Sequence, residues 1–132
     1  MKNALHNYRR GFTVVELMIV VAIISLLASI AVPSYMRARK RSQAVRVLED
    51  LRALDFSLNR WAIEKNKSPG DLAELSDLRP YIKSGSRLNE GLDILGNSFG
   101  TQFSVDSIPR VPTLTYNLLS DIAPASFWSP YN

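Results

Sequence analysis

Hydrophobic and polar positions divide this chain into an apolar first quarter and a mixed remainder. After a short basic start, residues 12–32 read FTVVELMIVVAIISLLASIAV, and Glu16 is their only charge. A helix of this length crosses a hydrocarbon core of roughly 30 Å. The run is longer than the apolar region of a secretory signal peptide, and no small-residue cleavage site with a polar flank closes it. The pattern predicts a membrane-spanning helix.

A second pattern, with the period of an amphipathic helix, begins beyond the apolar run. One apolar stripe recurs at alternating steps of four and three residues and consists of Val47, Leu51, Leu54, Leu58 and Trp61. No proline or glycine interrupts residues 34–66, so we expect one helix of about 55 residues that ends at the turn 67–70. The stripe is expected to serve core packing.

The rest of the chain predicts short elements that cover this stripe. Residues 71–85 indicate one or two short helices capped by Asp71, with an apolar face formed by Leu72, Leu75, Leu78 and Ile82. Period-two alternation over 99–105 and 114–118 predicts two or three antiparallel strands, with turns at 96–97 and 108–112. The aromatic tail, PASFWSPYN, is expected to lie as an irregular strap across the sheet. The fold class is α+β, with a long N-terminal helix packed on a small antiparallel sheet.

Composition narrows the chemistry that this chain can perform. The chain has no cysteine, which excludes disulfides, thiolate metal sites and thiol catalysis. The only histidine, His6, precedes the apolar run, and no catalytic constellation or phosphate-binding loop is visible. The formal charge of +4 comes mainly from the first ten residues, because without Lys2, Arg9 and Arg10 the chain has 13 basic and 12 acidic residues. We predict a protein that is not an enzyme and assign it no cofactor.

Glu16 is a candidate functional residue because a carboxylate inside an apolar span is costly and marks function by default. Cleavage after Gly11 leaves an α-amine on Phe12, and such amines are largely protonated at neutral pH. Along one helix this amine and Glu16 are about 6 Å apart. The two groups can neutralise each other within one subunit or between staggered subunits. Alternatively, Glu16 only extends to the membrane interface.

The string RRGFTVVELMIVVAIISLLASIAVPSY resembles the class III signal of type IV prepilins and type II secretion pseudopilins. The shared features are a basic leader, Gly11, then Phe12 and a threonine, Glu16 at the fifth mature position and Pro33 at the twenty-second. The resemblance implies a pilin-like fold with a removed leader (1–11), a transmembrane or filament-core half-helix (12–35), and an amphipathic half-helix with a globular head (36–132).

This resemblance also implies how the subunit is handled. A prepilin peptidase cuts between Gly11 and Phe12 and N-methylates Phe12, Glu16 registers the incoming subunit, and Pro33 marks a bend. Before processing, the chain spans the bacterial inner membrane once with its N-terminus in the cytoplasm. It then joins a periplasmic or cell-surface filament. The implied partners are other pilin subunits, the prepilin peptidase, an inner-membrane assembly platform and membrane lipid. The alternatives are a minor or DNA-uptake pilin whose head binds a ligand, and a plain single-span anchored protein.

Basic residues after the span oppose this orientation. Five of them follow within 15 residues, namely Arg37, Arg39, Lys40, Arg41 and Arg46, and the positive-inside rule places such a segment in the cytoplasm. We follow the resemblance, because its motif is more specific than the statistical rule. The cluster suits phospholipid headgroups or acidic faces of neighbouring subunits. It also suits DNA phosphates, although no interleaved aromatics or recognition motif support nucleic acid.

A second segment, LDILGNSFGTQFSV, resembles a loop of the major type II secretion pseudopilin and of cysteine-free pilins. The matching residues are Asp93, Gly96, Asn97 and Phe99. That group often binds calcium in a later acidic loop, but here the region holds only Asp106 and Asp121. Calcium requires several clustered oxygens, and we assign no metal.

Overall fold

The computed structural model describes residues 11–132. The predicted leader up to Arg10, including His6, lies outside the described residues. The chain divides into two compact units, a first that ends at Met36 and a second, Arg37–Asn132. Its α-helices and strands, in chain order, are α1 (Val14–Glu64), β1 (Leu72–Glu74), α2 (Leu75–Leu78), β2 (Gln102–Ser104), α3 (Thr113–Leu119) and α4 (Ala125–Trp128), with 3-10 turns at Arg79–Tyr81 and Arg87–Glu90.

The long helix is confirmed as α1, with 51 residues. In the first unit every residue from 11 to 36 is exposed, although most of these side chains are apolar. The helix is long and apolar enough to cross a membrane, and its most apolar window is not buried by protein. An apolar helix of this kind needs lipid or other helices around it, because water solvates such a surface poorly.

Helix α1 ends three residues earlier than the predicted turn, and Asn66 is the reason. Its backbone is left-handed, with φ of 50°, a conformation that asparagine tolerates better than most residues. The Lys67 amide donates to the Ala62 carbonyl at 2.8 Å, and the Asn66 amide donates to the Ile63 carbonyl at 3.3 Å. This pair of bonds is a Schellman motif, which satisfies carbonyls that the last helical turn leaves without partners.

The predicted apolar stripe of α1 is buried and organises the second unit. One hydrophobic cluster surrounds its later part and includes Leu54, Leu58, Trp61, Ala73, Leu78, Ile82 and Phe103. A second cluster surrounds its earlier part and includes Ala44, Val47, Leu51, Leu119, Ala123, Trp128 and Tyr131. Phe99 packs against both clusters. The stripe therefore serves as core packing, and covering its full length requires segments from both halves of the head.

The sheet has two antiparallel strands within the described residues, and the α+β fold class is confirmed. Ala73 of β1 pairs with Phe103 of β2, and both side chains are buried against α1. Our expectation of a helix that Asp71 caps was wrong in this segment. Residues 72–74 extend because they pair with β2, which buries Ala73 and leaves Leu72 exposed. The capping box of α2 belongs to Glu74 and Asp77.

The strand predicted over 114–118 was also wrong, since these residues form α3. Its buried residues are Thr115 and Leu119, which are four apart and share one helical face. The apparent alternation came from Leu114 and Leu118, which are also four apart but exposed. Pro112 occupies the N-cap, and the fixed φ of proline suits the start of a helix.

The aromatic tail packs differently from our expectation of an irregular strap across the sheet. It forms the short helix α4, and Trp128 is fully buried in the cluster with Val47, Leu51 and Leu119. The indole Nε1 donates to the Ala123 carbonyl at 3.1 Å. Trp128 thus covers the early part of the α1 stripe, whereas the strand residues Ala73 and Phe103 pack against its later part.

Candidate functional site

The predicted cleavage site lies in exposed, non-helical backbone just before α1. Residues 11–13 are outside the helix, and Phe12 is 89% exposed. Exposed irregular segments are the places where proteases act most readily. A Cβ built on Gly11 meets no atom within 4 Å, so the described structure does not itself require glycine there.

Glu16 is held in a capping box at the start of α1. Its Oε2 accepts the Thr13 backbone N–H at 2.9 Å and the Thr13 hydroxyl at 3.0 Å, and the Thr13 hydroxyl accepts the Glu16 amide at 3.2 Å. These reciprocal bonds satisfy amide groups that the first helical turn leaves without partners. Sequence reasoning missed this role of Thr13, although Thr-x-x-Glu before an apolar run is its signature.

The apolar half of α1 offers Glu16 no cationic side chain. From residue 17 to residue 36 the sequence contains no charged residue, and the next basic side chain is Arg37. Removal of residues 1–11 also removes Arg9 and Arg10. After such a cut, the Phe12 α-amine becomes the only positive group of the chain within its apolar half.

Pro33 lies within α1, which continues through it. Proline has no amide hydrogen, so one bond of the helical ladder is missing there. The three serines of this half direct their hydroxyls to carbonyls of their own helix: Ser25 to Val21, Ser29 to Leu26 and Ser34 to Ile30, at 2.7, 2.6 and 3.2 Å. Such internal bonds let a helix carry serine through hydrocarbon. Pro33 and Glu16 are 17 residues apart in the sequence, so they do not form one site.

The loop singled out by the second resemblance contains a buried polar centre. Asp93 is fully buried, and its Oδ1 accepts the amides of Leu95 and Asn97 at 2.9 and 2.8 Å. Its Oδ2 accepts the Thr115 hydroxyl, which in turn accepts from Asn97 Nδ2 at 2.8 Å. Gly96 closes the turn with φ of 89°. The centre thus joins the 93–97 turn to α3.

A substitution at Thr115 should show how much this centre stabilises the head. We expect Thr115→Val to lower the free energy of unfolding by about 2 kcal/mol, because it leaves a buried carboxylate oxygen without its donor. Thr115→Ser keeps the hydroxyl and should cost about half as much. Urea unfolding of the full chain in uncharged detergent measures both values. A loss in Thr115→Val no larger than the loss in Thr115→Ser would contradict this account, because the hydroxyl would then contribute no more than the methyl group that serine lacks.

Basic side chains at the start of the second unit form a distinct electrostatic feature. Lys40 pairs with Asp121 at 2.8 Å, and this hydrogen bond is the main cause that lowers the pKa of the Asp121 carboxyl. Arg46 pairs with Glu49 and Asp50. Burial raises the pKa of Asp50, and the Arg46 charge partly opposes that rise.

Within residues 11–132, no group of three or more metal-ligating His, Asp or Glu side chains lies together.

The N-terminal segment matches a known protein family. The family described as the prokaryotic N-terminal methylation motif matches residues 6–32, which include Gly11, Phe12 and Glu16. This match bears out the resemblance of the N-terminal segment, over 27 of the 132 residues of the chain. The comparison with solved structures finds no match.

Related proteins extend this similarity into the head. The chain is 51% identical to fimbrial protein Q of Moraxella bovis, over 72% of this chain and 64% of that protein. It is 34% identical to type II secretion system core protein G of Klebsiella pneumoniae, over 46% of this chain and 44% of that protein. It is 43% identical to the type IV major pilin protein PilA of Myxococcus xanthus, over 44% of this chain and 26% of that protein. The chain matches less than two thirds of the length of each relative.

Proposed function

We propose that this chain is the precursor of a structural subunit, a pilin or pseudopilin, of a type IV pilus-like filament. The observation that carries the proposal is the exposed apolar half of α1, with Glu16 fixed in its first turn directly after the exposed Gly11–Phe12 bond. An apolar helix without cover is suited first to a bilayer and then to a bundle of identical helices. The similarity to named fimbrial proteins and to a type II secretion core protein supports the same assignment.

In the proposed sequence of events, the leader 1–11 lies in the cytoplasm and residues 12–35 span the inner membrane. The head, in 36–132, folds on the far side. A prepilin peptidase cuts between Gly11 and Phe12 and methylates the new amine. An assembly platform in the inner membrane then moves the subunit into the filament, where residues 12–35 form the core, Pro33 permits a bend, and the Phe12 amine of one subunit pairs with Glu16 of a neighbour.

Mass spectrometry of the membrane-bound form tests the processing step. We expect the N-terminus to be an N-methylated Phe12, with residues 1–11 absent. A membrane form that keeps Met1 in cells with an active prepilin peptidase would contradict the proposal and favour a plain anchored protein.

Gly11→Val provides a matched control for the same experiment. The described structure leaves open space around a Cβ at this position, so the substitution should leave the fold intact and the N-terminus uncut. Cleavage of this variant at the normal rate would show that the processing enzyme does not read Gly11.

The phenotype of a deletion decides which machine uses the subunit. Loss of surface filaments and of surface motility assigns it to a pilus, as the named pilin and fimbrial relatives suggest. Loss of export of folded enzymes assigns it to a secretion pseudopilus, as the named core protein suggests.

A further inference from the structure

A cavity of about 570 Å³ opens beside the first turns of the second unit. One wall is α1, which contributes Arg37 and Arg41, four residues apart and thus on one helical face. The opposite wall is the segment between α3 and α4 together with Phe127. The remaining lining is largely apolar and comprises Ala38, Ala44, Ile122 and Ala123. The cavity therefore combines two guanidinium groups with a hydrophobic lining.

The electrostatics of this cavity favour an anion. Its only acidic lining residue, Asp121, is already paired with Lys40 at 2.8 Å. Among the ion pairs of the described residues, none involves Arg37 or Arg41. The charge of Arg37 also acts on Asp121 and contributes to lowering the pKa of its carboxyl. Three cationic side chains, Arg37, Lys40 and Arg41, are thus balanced by one carboxylate, which leaves the site locally positive. Guanidinium groups bind phosphate with paired, directional hydrogen bonds.

The position of the two arginines along the chain indicates the source of the anion. The apolar run ends at Val32, and Arg37 and Arg41 follow only five and nine residues later in the sequence. The polar region of a bilayer begins where its hydrocarbon core ends. Both side chains are long enough to reach back toward that layer.

We propose that this cavity is a binding site for the phosphate of an anionic phospholipid headgroup, which Arg37 and Arg41 hold together. The apolar lining, with Phe127 at its edge, accommodates the glycerol carbons and the first methylenes of the lipid. The Lys40–Asp121 pair fixes the loop that forms the far wall. This inference uses the membrane span of the proposed function, but it requires neither cleavage at Gly11 nor assembly of a filament.

The site also gives a reason for the charge distribution around the span. Five basic residues follow the span within 15 positions, on the side where the positive-inside rule disfavours them when the leader is cytoplasmic. Anionic headgroups in the far leaflet would stabilise arginines at this depth. Lys40 and Arg46 are already paired with carboxylates. A lipid phosphate in the cavity would neutralise the charges of Arg37 and Arg41.

Native mass spectrometry of the full, uncut chain in uncharged detergent tests the proposal. Phosphatidylglycerol and phosphatidylcholine with identical acyl chains are titrated separately, and the dissociation constant of the first bound lipid is measured. We expect about tenfold tighter binding of phosphatidylglycerol, because both lipids carry the phosphate but the quaternary ammonium of phosphatidylcholine repels the two arginines and cancels the net charge of its headgroup. Equal affinity for the two lipids would overturn the proposal that the cavity binds an anionic phospholipid.

Single substitutions separate a site from general attraction to negative charge. Arg41→Gln should remove most of the preference for phosphatidylglycerol. Arg39→Gln removes the same charge two residues away, does not line the cavity, and should retain most of the preference. Equal losses in both variants would overturn the proposal, because they would indicate diffuse electrostatics. Arg37→Gln repeats the test, and circular dichroism establishes that each variant is folded.

Competition experiments with inorganic phosphate and with duplex DNA test whether the cavity binds a different ligand. Inorganic phosphate that displaces phosphatidylglycerol at equal concentration would overturn the lipid assignment in favour of a soluble anion. Duplex DNA that binds more tightly than the lipid, and is lost in Arg41→Gln, would assign the cavity to nucleic acid instead. Because the measurement uses the uncut chain, its failure leaves the N-terminus of the membrane form as an independent test of the proposed function.

Discussion

Replacement of Glu16 by alanine should abolish incorporation into filaments while cleavage between Gly11 and Phe12 continues. In the proposed filament, the carboxylate neutralises the Phe12 amine of a neighbouring subunit inside an apolar bundle. Removing one partner of a buried ion pair leaves the other charge without compensation, at a cost of about 3–5 kcal/mol. This cost recurs at every added subunit. The measurement is the amount of variant subunit in sheared filaments relative to its amount in the membrane.

Two further variants separate the charge of Glu16 from its capping role. Glu16→Gln keeps a side chain that can complete the capping box but removes the charge, so it should also fail to assemble. Thr13→Val removes the hydroxyl that bonds to Glu16 but keeps the carboxylate, so it should assemble with a helix start weakened by about 1 kcal/mol. The opposite pattern, or normal filaments from Glu16→Ala, would refute the ion-pair account.

Replacement of Trp128 by alanine should cause the largest loss of stability in the head. The side chain is fully buried against Val47, Leu51 and Leu119, and its ring lies nearly perpendicular to that of Phe127, with ring centroids 5.1 Å apart. Removing a buried aromatic side chain leaves a cavity and costs about 3–5 kcal/mol. Urea unfolding of the detergent-solubilised full chain, followed by far-ultraviolet circular dichroism, measures this loss.

Two control variants test the physical basis of that value. Trp128→Phe keeps a ring but removes the donor to the Ala123 carbonyl. The loss of this hydrogen bond should lower the free energy of unfolding by about 1–2 kcal/mol, in addition to any effect of changed packing. Leu118→Ala trims an exposed side chain on α3 and should change the free energy of unfolding by less than about 0.5 kcal/mol. A wild-type midpoint for Trp128→Ala would show that the tail does not contribute to the core.

The helical half of the fold was predictable because its signals extend over many residues. The stripe from Val47 to Trp61 repeats through five positions with the period of a helix, which excludes a strand. All five residues are buried. The short elements were not predictable in the same way. Ala73 extends only because Phe103 lies opposite it, and residues 114–118 alternate by coincidence within a helix. Their conformations depend on partners that are distant in the sequence.

The candidate site shows the same division between local and distant information. The motif around Gly11, Phe12 and Glu16 is contiguous, so the sequence alone is enough to propose it as a candidate site. The capping role of Thr13 was also present in the sequence as a local signature. In contrast, the Asp93–Thr115 bond and the Lys40–Asp121 pair join residues 22 and 81 positions apart. No spacing rule brings such pairs together before the chain folds.

The uncovered apolar half of α1 has a consequence for the strength of the proposed filament. When such a helix leaves the bilayer for a bundle of like helices, it exchanges one hydrocarbon environment for another, so the hydrophobic effect contributes little to the transfer. The polymer is then held by close packing, by contacts between heads and by the few charges in its core. Because so few interactions hold the core, we expect changes at the helix start, where those charges lie, to shift the balance between the polymer and its membrane pool.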